Sequence, residues 1–106
     1  MPLQGTDLQT EQVMEITHKN TENGGFFIAE EDGKRMGYLS YEWANPTKFA
    51  ILHTVVEEAF QGRGVAKALV NAAVSFAREN GYKVMPLCPY AEKLFMRDSS
   101  YDDVKV

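Results

Sequence analysis

The segment Gln61-Gly62-Arg63-Gly64-Val65-Ala66 joins an apolar run to an amphipathic pattern. The run before it, Phe49–Val56, is rich in β-branched residues and predicts a buried strand. After it, apolar residues recur at helical spacing, and Asn80-Gly81 predicts a left-handed end to that helix. The two glycines let the backbone approach a ligand, and the start of a helix offers unpaired N–H groups to an anion. This segment therefore predicts a pyrophosphate-binding loop.

The residues upstream of the loop predict an antiparallel meander of four strands. The predicted strands are Val13–His18, Phe26–Glu30, Arg35–Trp43 and Phe49–Val56. Lys19–Gly25 is the predicted turn between the first two strands. Asp32-Gly33 is a strong hairpin signal, and Asn45-Pro46 turns the chain into the fourth strand.

The residues downstream of the loop complete a mixed α+β fold. A helix is predicted over Gly64–Asn80 and a fifth strand over Lys83–Leu87. Because proline is favoured in the first turn of a helix, Pro89–Arg97 is predicted to be a short C-terminal helix. The strand–helix–strand connection is expected to be right-handed, which makes the fifth strand parallel to the fourth. The tail, Ser99–Val106, is predicted to add at most an edge strand.

Composition limits the classes of protein to which this chain can belong. Its 106 residues are 44% apolar and 25% charged, which is typical of one globular domain, predicted here over residues 12–106. Residues 1–11 lack the basic start and apolar stretch of a secretory signal and are predicted to form a mobile polar lead-in. No apolar run approaches the roughly 18 residues of a membrane helix, so no membrane contact is expected.

Charge and cysteine content narrow the classes further. The net charge of −4 argues against a nucleic-acid partner, which requires a basic face. A single cysteine cannot form an internal disulfide, and no Cys/His spacing resembles a metal site. We therefore expect a cytoplasmic protein without a metal ion that is a monomer or a weak dimer.

Basic residues strengthen the prediction of an anion site at the loop. Arg63 and Lys67 stand four residues apart, so they are predicted to share a helix face and to concentrate positive charge in an otherwise acidic chain. The alternative, a solvated charge pair at the start of a helix, leaves their placement unexplained. The predicted phosphate-binding residues are Gln61, Gly62, Arg63, Gly64, Val65, Ala66 and Lys67.

Cys88 and His53 are candidate catalytic residues. Cys88 ends the predicted fifth strand just before a helix, a position that stabilises a thiolate. The alternative for a lone cysteine is a small buried apolar residue. His53 lies on the neighbouring strand and could act as a base or as a partner of the thiol, or it could be a structural histidine bonded to the backbone.

Aromatic and acidic residues carry weaker signals. The aromatic residues predicted to lie in the core, rather than to form a ligand platform, are Phe26, Phe27, Tyr38, Tyr41, Trp43 and Phe76. Most carboxylates are expected to be solvated, but several of them bordering a cleft would attract a cationic amine. The carboxylates considered are Glu30, Glu31, Glu42, Glu57 and Glu58.

Taken together, these residues resemble the GNAT superfamily of acyl-CoA-dependent N-acyltransferases. The cofactor loop of that family reads Gln/Arg-x-x-Gly-x-Gly/Ala, which Gln61-x-x-Gly64-x-Ala66 matches. The resemblance implies an acyl-CoA N-acyltransferase-like fold that binds acetyl-CoA, with the pyrophosphate on the amides of Gly62–Ala66. It also implies that the pantetheine arm lies between the strand of Thr54-Val55-Val56 and the strand of Val84–Leu87.

The segment after the fifth strand departs from the family. Many GNAT enzymes carry Asn-x-x-Ala-x-x-Leu-Tyr there, and the tyrosine protonates the departing thiolate. This chain has Cys88-x-x-Ala91-x-x-Leu94-Phe95, so the acid is absent and Tyr90 is a candidate in its place. The family's usual helices between the first two strands also have no room here. Both departures resemble a minimal, cysteine-containing branch, the YjdJ-type GNAT-like proteins, although that branch often has an acidic residue where this chain has Val55.

The leading interpretation is an enzyme, an acetyltransferase that moves an acetyl group from acetyl-CoA to a lysine side chain or a small amine. His53 would remove the proton that keeps the acceptor amine from attacking. Cys88 would either take the acetyl group first, as a covalent relay, or only shape the site. Two alternatives remain open: a non-catalytic module that binds or senses acyl-CoA, and a small interaction domain with no CoA site.

Overall fold

The computed structural model describes residues 14–106, in which five strands, two helices and two short 3-10 turns follow one another. The predicted lead-in 1–11 and Val13, the first residue of the first predicted strand, lie outside the described residues. The strands are β1 Glu15–Asn20, β2 Gly24–Glu31, β3 Lys34–Asn45, β4 Lys48–Val56 and β5 Lys83–Pro86. The helices are α1 Val65–Asn80 and α2 Pro89–Arg97, and the 3-10 turns cover Glu58–Phe60 and Ser99–Tyr101.

The predicted order and direction of the strands are confirmed. The sheet runs β1-β2-β3-β4-β5, with antiparallel pairs up to β4 and a parallel β4–β5 pair that α1 connects. Asp32 and Gly33 have φ values of 52° and 77°, as a two-residue hairpin turn requires, and they pair Glu31 with Lys34. Hydrogen bonding therefore continues to the ends of β2 and β3, which makes both strands longer than the sequence pattern predicted.

The hydrophobic core lies between one face of the sheet and the two helices. Alternate residues of β2, β3 and β4 meet the apolar stripe of α1, and α2 adds its own buried side to the same cluster. The largest fully buried side chains are Tyr41, Phe49, Phe95, Met36, Leu39, Ile51, Leu69, Val65, Val70, Val74 and Val84. One continuous core thus holds α1, α2 and the sheet together.

The C-terminal tail, residues 99–106, contacts both helices and β5 but forms no full edge strand. Its pairing with β5 is a single parallel bridge between Val84 and Lys105. Tyr101 stacks on Phe95 with ring centroids 4.9 Å apart and donates a 2.5 Å hydrogen bond to Asn71 Oδ1 of α1. The 3-10 turn at Ser99–Tyr101 bends the chain before it can pair further, so the predicted edge strand is reduced to that bridge.

The other face of the sheet is not covered by either helix. Phe26 and Tyr38 lie there, and Phe26 is 37% exposed, so the prediction that both belong to the core is wrong. Strand alternation explains the error, because Phe26 and Phe27 are neighbours on β2 and must point to opposite faces. Among residues 14–106, neither helix has both the length and the apolar character needed to cross a membrane.

Candidate cofactor and catalytic site

Strands β4 and β5 separate after four paired residues. Lys48–Ile51 pairs with Lys83–Pro86, and the pairing then stops. The N–H groups of Leu87 and Cys88 both donate to the carbonyl of Ile51, each at 3.0 Å. Because two donors converge on one acceptor, the chain turns away from β4 and enters α2. Within the described part of the chain, Leu52–Val56 therefore has no partner strand on that side.

A cavity of about 380 Å³ lies beside this unpaired part of β4. Residues of β4, of the loop that follows it and of the first turns of α1 and α2 line it: Thr54, Val56, Phe60, Gln61, Gly62, Gly64, Val65, Ala66, Lys67 and Tyr90. The structure thus brings together most of the residues that the sequence assigned to the cofactor. Phe60 was missed, and its only signal is an apolar side chain directly before the glycine loop.

In the described residues, the loop at the mouth of the cavity provides no hydrogen-bond acceptor for the first N–H groups of α1. Gly62 and Gly64 both have a φ of 80°, a left-handed conformation that glycine adopts without strain. The N-cap residue, Gly64, offers no side chain to the helix. Within residues 14–106, the backbone N–H groups of Gly62 through Lys67 have no hydrogen-bond acceptor, and the first helical bond is that of Ala68 to Gly64. This donor set, with Lys67 beside it, matches what an anionic phosphate requires.

Arg63 lies outside the cavity. Its Nη2 donates to both carboxylate oxygens of Glu31, at 2.9 and 3.1 Å, and its guanidinium lies 5.4 Å from the centre of the Phe60 ring. The prediction that Arg63 and Lys67 share a helix face is wrong, because α1 begins only at Val65. Lys67 is therefore the basic side chain that lines the cavity.

Cys88 is buried next to the cavity rather than in its wall. It is the N-cap of α2, where its Sγ accepts a hydrogen bond from the Ala91 N–H at 3.3 Å. The Sγ also lies 3.3 Å from Thr54 Oγ1, in a hydrogen bond whose donor can be either group. The side chain is 4% exposed. Cys88 thus ties the start of α2 to the unpaired part of β4.

His53 and Val55 lie on the opposite, uncovered face of the sheet. Ser40 pairs with His53 but Tyr41 pairs with Ile51, so Leu52 is an extra residue in a β-bulge. After the bulge, Thr54 faces the helices whereas His53 and Val55 do not. The interpretation of His53 as a partner of the Cys88 thiol is therefore wrong, because Thr54 occupies that place.

Tyr90 supplies a hydroxyl group at the cavity. It is in the first turn of α2 and lines the cavity together with Thr54 and Lys67. Burial raises the pKa of this hydroxyl above its ordinary value of 10.0, and Cys88 adds to the rise while Arg97 opposes it. The hydroxyl is therefore protonated at neutral pH and can donate a proton to a thiolate.

The sequence and the fold resemble those of known acetyltransferases. The sequence profile described as GCN5-related N-acetyl-transferase matches residues 25–104. The chain belongs to this family, and the predicted family and fold class are confirmed.

Individual relatives agree with this membership. The chain is 32% identical over 69 residues to an uncharacterised N-acetyltransferase of Methanocaldococcus jannaschii, covering 59% of this chain but only 30% of the relative's length. Protein NATD1 of Mus musculus is 32% identical over 84 residues, which are 68% of this chain and 76% of that protein. The solution structure of a GCN5-like N-acetyltransferase from Staphylococcus aureus has a TM-score of 0.66 and 30% identity, over 85% of this chain and 87% of that one.

Proposed function

We propose that this protein transfers an acetyl group from acetyl-CoA to a primary amine. The observation that carries the proposal is the unpartnered start of α1, which opens with Lys67 on the cavity beside β4. The N–H groups of Gly62–Lys67 would hold the pyrophosphate, and the free edge of β4 at Thr54 and Val56 would pair with the amides of the pantetheine arm. The YjdJ-type branch and a cytoplasmic location remain predictions from the sequence.

The chain offers one group for each proton that must move. When bound, acetyl-CoA supplies the acetyl group as a thioester, which a neutral amine displaces to give an amide and a free thiol. An alkylammonium ion has a pKa of about 10.4, so it needs a base, and His53 is proposed to take its proton directly or through water. The Tyr90 hydroxyl is proposed to give a proton to the leaving sulfur. The nitrogen of the adduct then loses its second proton as the amide forms, and that proton returns through water to Tyr90.

Cys88 is proposed to position the site rather than to carry the acetyl group. Its burial and its hydrogen bonds to Ala91 and Thr54 support this role. The covalent route would instead leave an acetyl group on the Cys88 sulfur. Intact mass spectrometry after rapid quenching with acetyl-CoA distinguishes the two routes, since direct transfer leaves the mass of the protein unchanged.

Calorimetry and a thiol-release assay test the proposed function. We expect acetyl-CoA to bind and acetyl-pantetheine, which lacks the pyrophosphate, to bind far more weakly. Lys67→Gln should weaken acetyl-CoA binding about fivefold, because a charge-assisted hydrogen bond is lost at a partly solvated site. Lys93→Gln, an exposed lysine on α2, is the control. Equal binding of both ligands would contradict the anion site.

Turnover separates the enzyme from a binding module. With a primary amine added, thiol release should require His53, and His53→Gln should lower kcat while leaving the Kd for acetyl-CoA unchanged. Tight acetyl-CoA binding without amine-dependent thiol release would instead indicate a module that binds or senses acyl-CoA.

A further inference from the structure

The uncovered face of the sheet carries a groove that the cofactor cavity does not use. The groove has a volume of about 300 Å³, and its lining includes Phe26, Tyr38, Ser40, Glu42 and His53. Phe26 and Tyr38 meet edge to face with centroids 6.0 Å apart and form its aromatic wall. Aromatic faces, a carboxylate and a hydroxyl together are the groups that recognise an alkylammonium ion.

Polar groups in the groove lack partners. Ser40 Oγ is buried and has no hydrogen bond within the part of the chain that the structure describes. Over the same residues, 14–106, Glu42 forms no ion pair. A buried hydroxyl without a partner costs free energy in the free protein, so a ligand that bonds to it recovers that cost.

The groove and the cofactor cavity meet at one strand. Thr54 of β4 lines the cavity, and His53, the residue before it, lines the groove. Among residues 14–106, β4 has no partner strand on its outer side at this level, so within the described sheet only β4 itself lies between the groove and the cavity. A group bound in the groove therefore lies next to the edge of β4 that is proposed to hold the acetyl donor.

We infer that this groove binds the acceptor, and that the acceptor is a lysine side chain of a polypeptide. This inference rests on the proposed function. The ammonium group would lie between Glu42 and Ser40, and the aliphatic arm would lie against Phe26 and Tyr38. Two large apolar side chains are exposed on the surrounding face, Phe26 at 37% and Val55 at 39%. A peptide backbone would cover this surface, whereas a small amine would leave it bare.

Binding of a blocked short peptide with one central lysine tests the inference. The peptide is titrated against CoA-saturated protein, and a matched peptide with acetyl-lysine replaces the charged group. Glu42→Gln should weaken binding of the lysine peptide about fivefold, as loss of a solvated charge pair does. Glu79→Gln, on the exposed side of α1, should leave it unchanged.

Ser40→Ala provides a second variant whose folding is not at risk. It should also weaken peptide binding, while the free energy of unfolding stays constant or rises, because an unpaired buried hydroxyl is removed. Spermidine forms a third arm and should bind more weakly than the peptide.

Each outcome decides between the two proposals. Absence of acetyl-CoA binding to the wild-type protein would refute the proposed function and the acceptor assignment with it. The groove alone would be refuted if acetyl-CoA binds normally but the affinity for the peptide is unchanged by acetylation of its lysine. It would also be refuted if Glu42→Gln and Ser40→Ala leave that affinity unchanged. Spermidine binding equal to that of the peptide, and equally sensitive to Glu42→Gln, would overturn the choice of a polypeptide.

Discussion

His18, a half-buried histidine that packs against aromatic residues of the core, illustrates how residue-scale chemistry sets stability. His18 stacks on Phe27 with centroids 4.2 Å apart and packs edge to face on Phe76. Its Nε2 lies 2.5 Å from Tyr41 Oη. Burial raises the pKa of Tyr41, so that hydroxyl remains protonated and donates to the ring nitrogen. The neutral form of His18 is therefore the one that fits the folded state.

The pKa of His18 predicts a loss of stability in mild acid. Burial lowers this pKa below the ordinary value of 6.5, so the unfolded state binds the proton more readily than the folded state. Above pH 6.5, His18 has no effect on the pH dependence of stability. As the pH falls below 6.5, the free energy of unfolding should fall until the folded pKa is passed.

Chemical denaturation at a series of pH values measures this dependence. His18→Gln, which cannot titrate, should show a flatter profile between neutral pH and mild acid. Parallel profiles for wild type and His18→Gln would contradict the assignment.

At the scale of elements, the loop before α1 requires glycine at position 64 because of the backbone angles there, and not because a larger side chain would clash. A Cβ on Gly64 would meet no atom within 4 Å, so an alanine there is strained only by the φ of 80°. We expect Gly64→Ala to cost about 1–2 kcal/mol of stability. To relieve this strain the loop would rotate its N–H groups, and acetyl-CoA affinity should fall about tenfold.

Gly33→Ala is the matched control for Gly64→Ala. Gly33 has a φ of 77°, equally open space around its missing Cβ, and a position in the β2–β3 hairpin. Its stability should fall by a similar amount, while the affinity for acetyl-CoA measured by calorimetry stays that of the wild type. Equal losses of affinity in both variants would show that the loop has no special role.

The tail is held to α1 by an ion pair with a defined pH window. Arg78 Nε donates to Asp103 Oδ2 at 2.8 Å, and this hydrogen bond lowers the pKa of the Asp103 carboxyl below 3.8. Since the folded pKa is the lower one, the stabilisation is complete above pH 3.8 and is lost as the pH falls through the folded pKa.

Thermal unfolding of Asp103→Asn tests the contribution of this pair. Its Tm should lie below that of the wild type at neutral pH, and the difference should disappear in strong acid. Asp102→Asn, for an exposed carboxylate one residue earlier, is the control. A difference in Tm that persists below the folded pKa would contradict the electrostatic explanation.

At the scale of the whole molecule, the sequence predicted the elements well because their signals are local. The hairpin at Asp32-Gly33 and the stop at Gly81 each require a positive φ that few residues adopt, so both positions could be read from the chain. The glycine loop and its strand and helix neighbours belong to the same class of signal. The resemblance to the family started from that segment, and the profile that matches residues 25–104 confirms it.

The wrong predictions concern features that contacts between distant parts of the chain determine. The face on which His53 lies depends on the bulge at Leu52, and no residue type in that strand predicts a bulge. The helix face predicted to hold both Arg63 and Lys67 does not exist because α1 begins at Val65, and the pairing of Arg63 with Glu31, 32 residues away, has no local signal in the sequence. The uncovered groove could not be predicted at all, because it exists only where three strands present alternate side chains together.

The extra residue at Leu52 determines which face of the sheet each later side chain of β4 points to. Without it, Thr54 and His53 would exchange sides: the histidine would point at Cys88, and the threonine at the groove. Deletion of Leu52 would thus exchange the two faces of β4 beyond it and would also remove one lining residue of the groove. In the proposed reaction, this one inserted amino acid lets the acetyl donor and the amine approach β4 from opposite faces of the sheet.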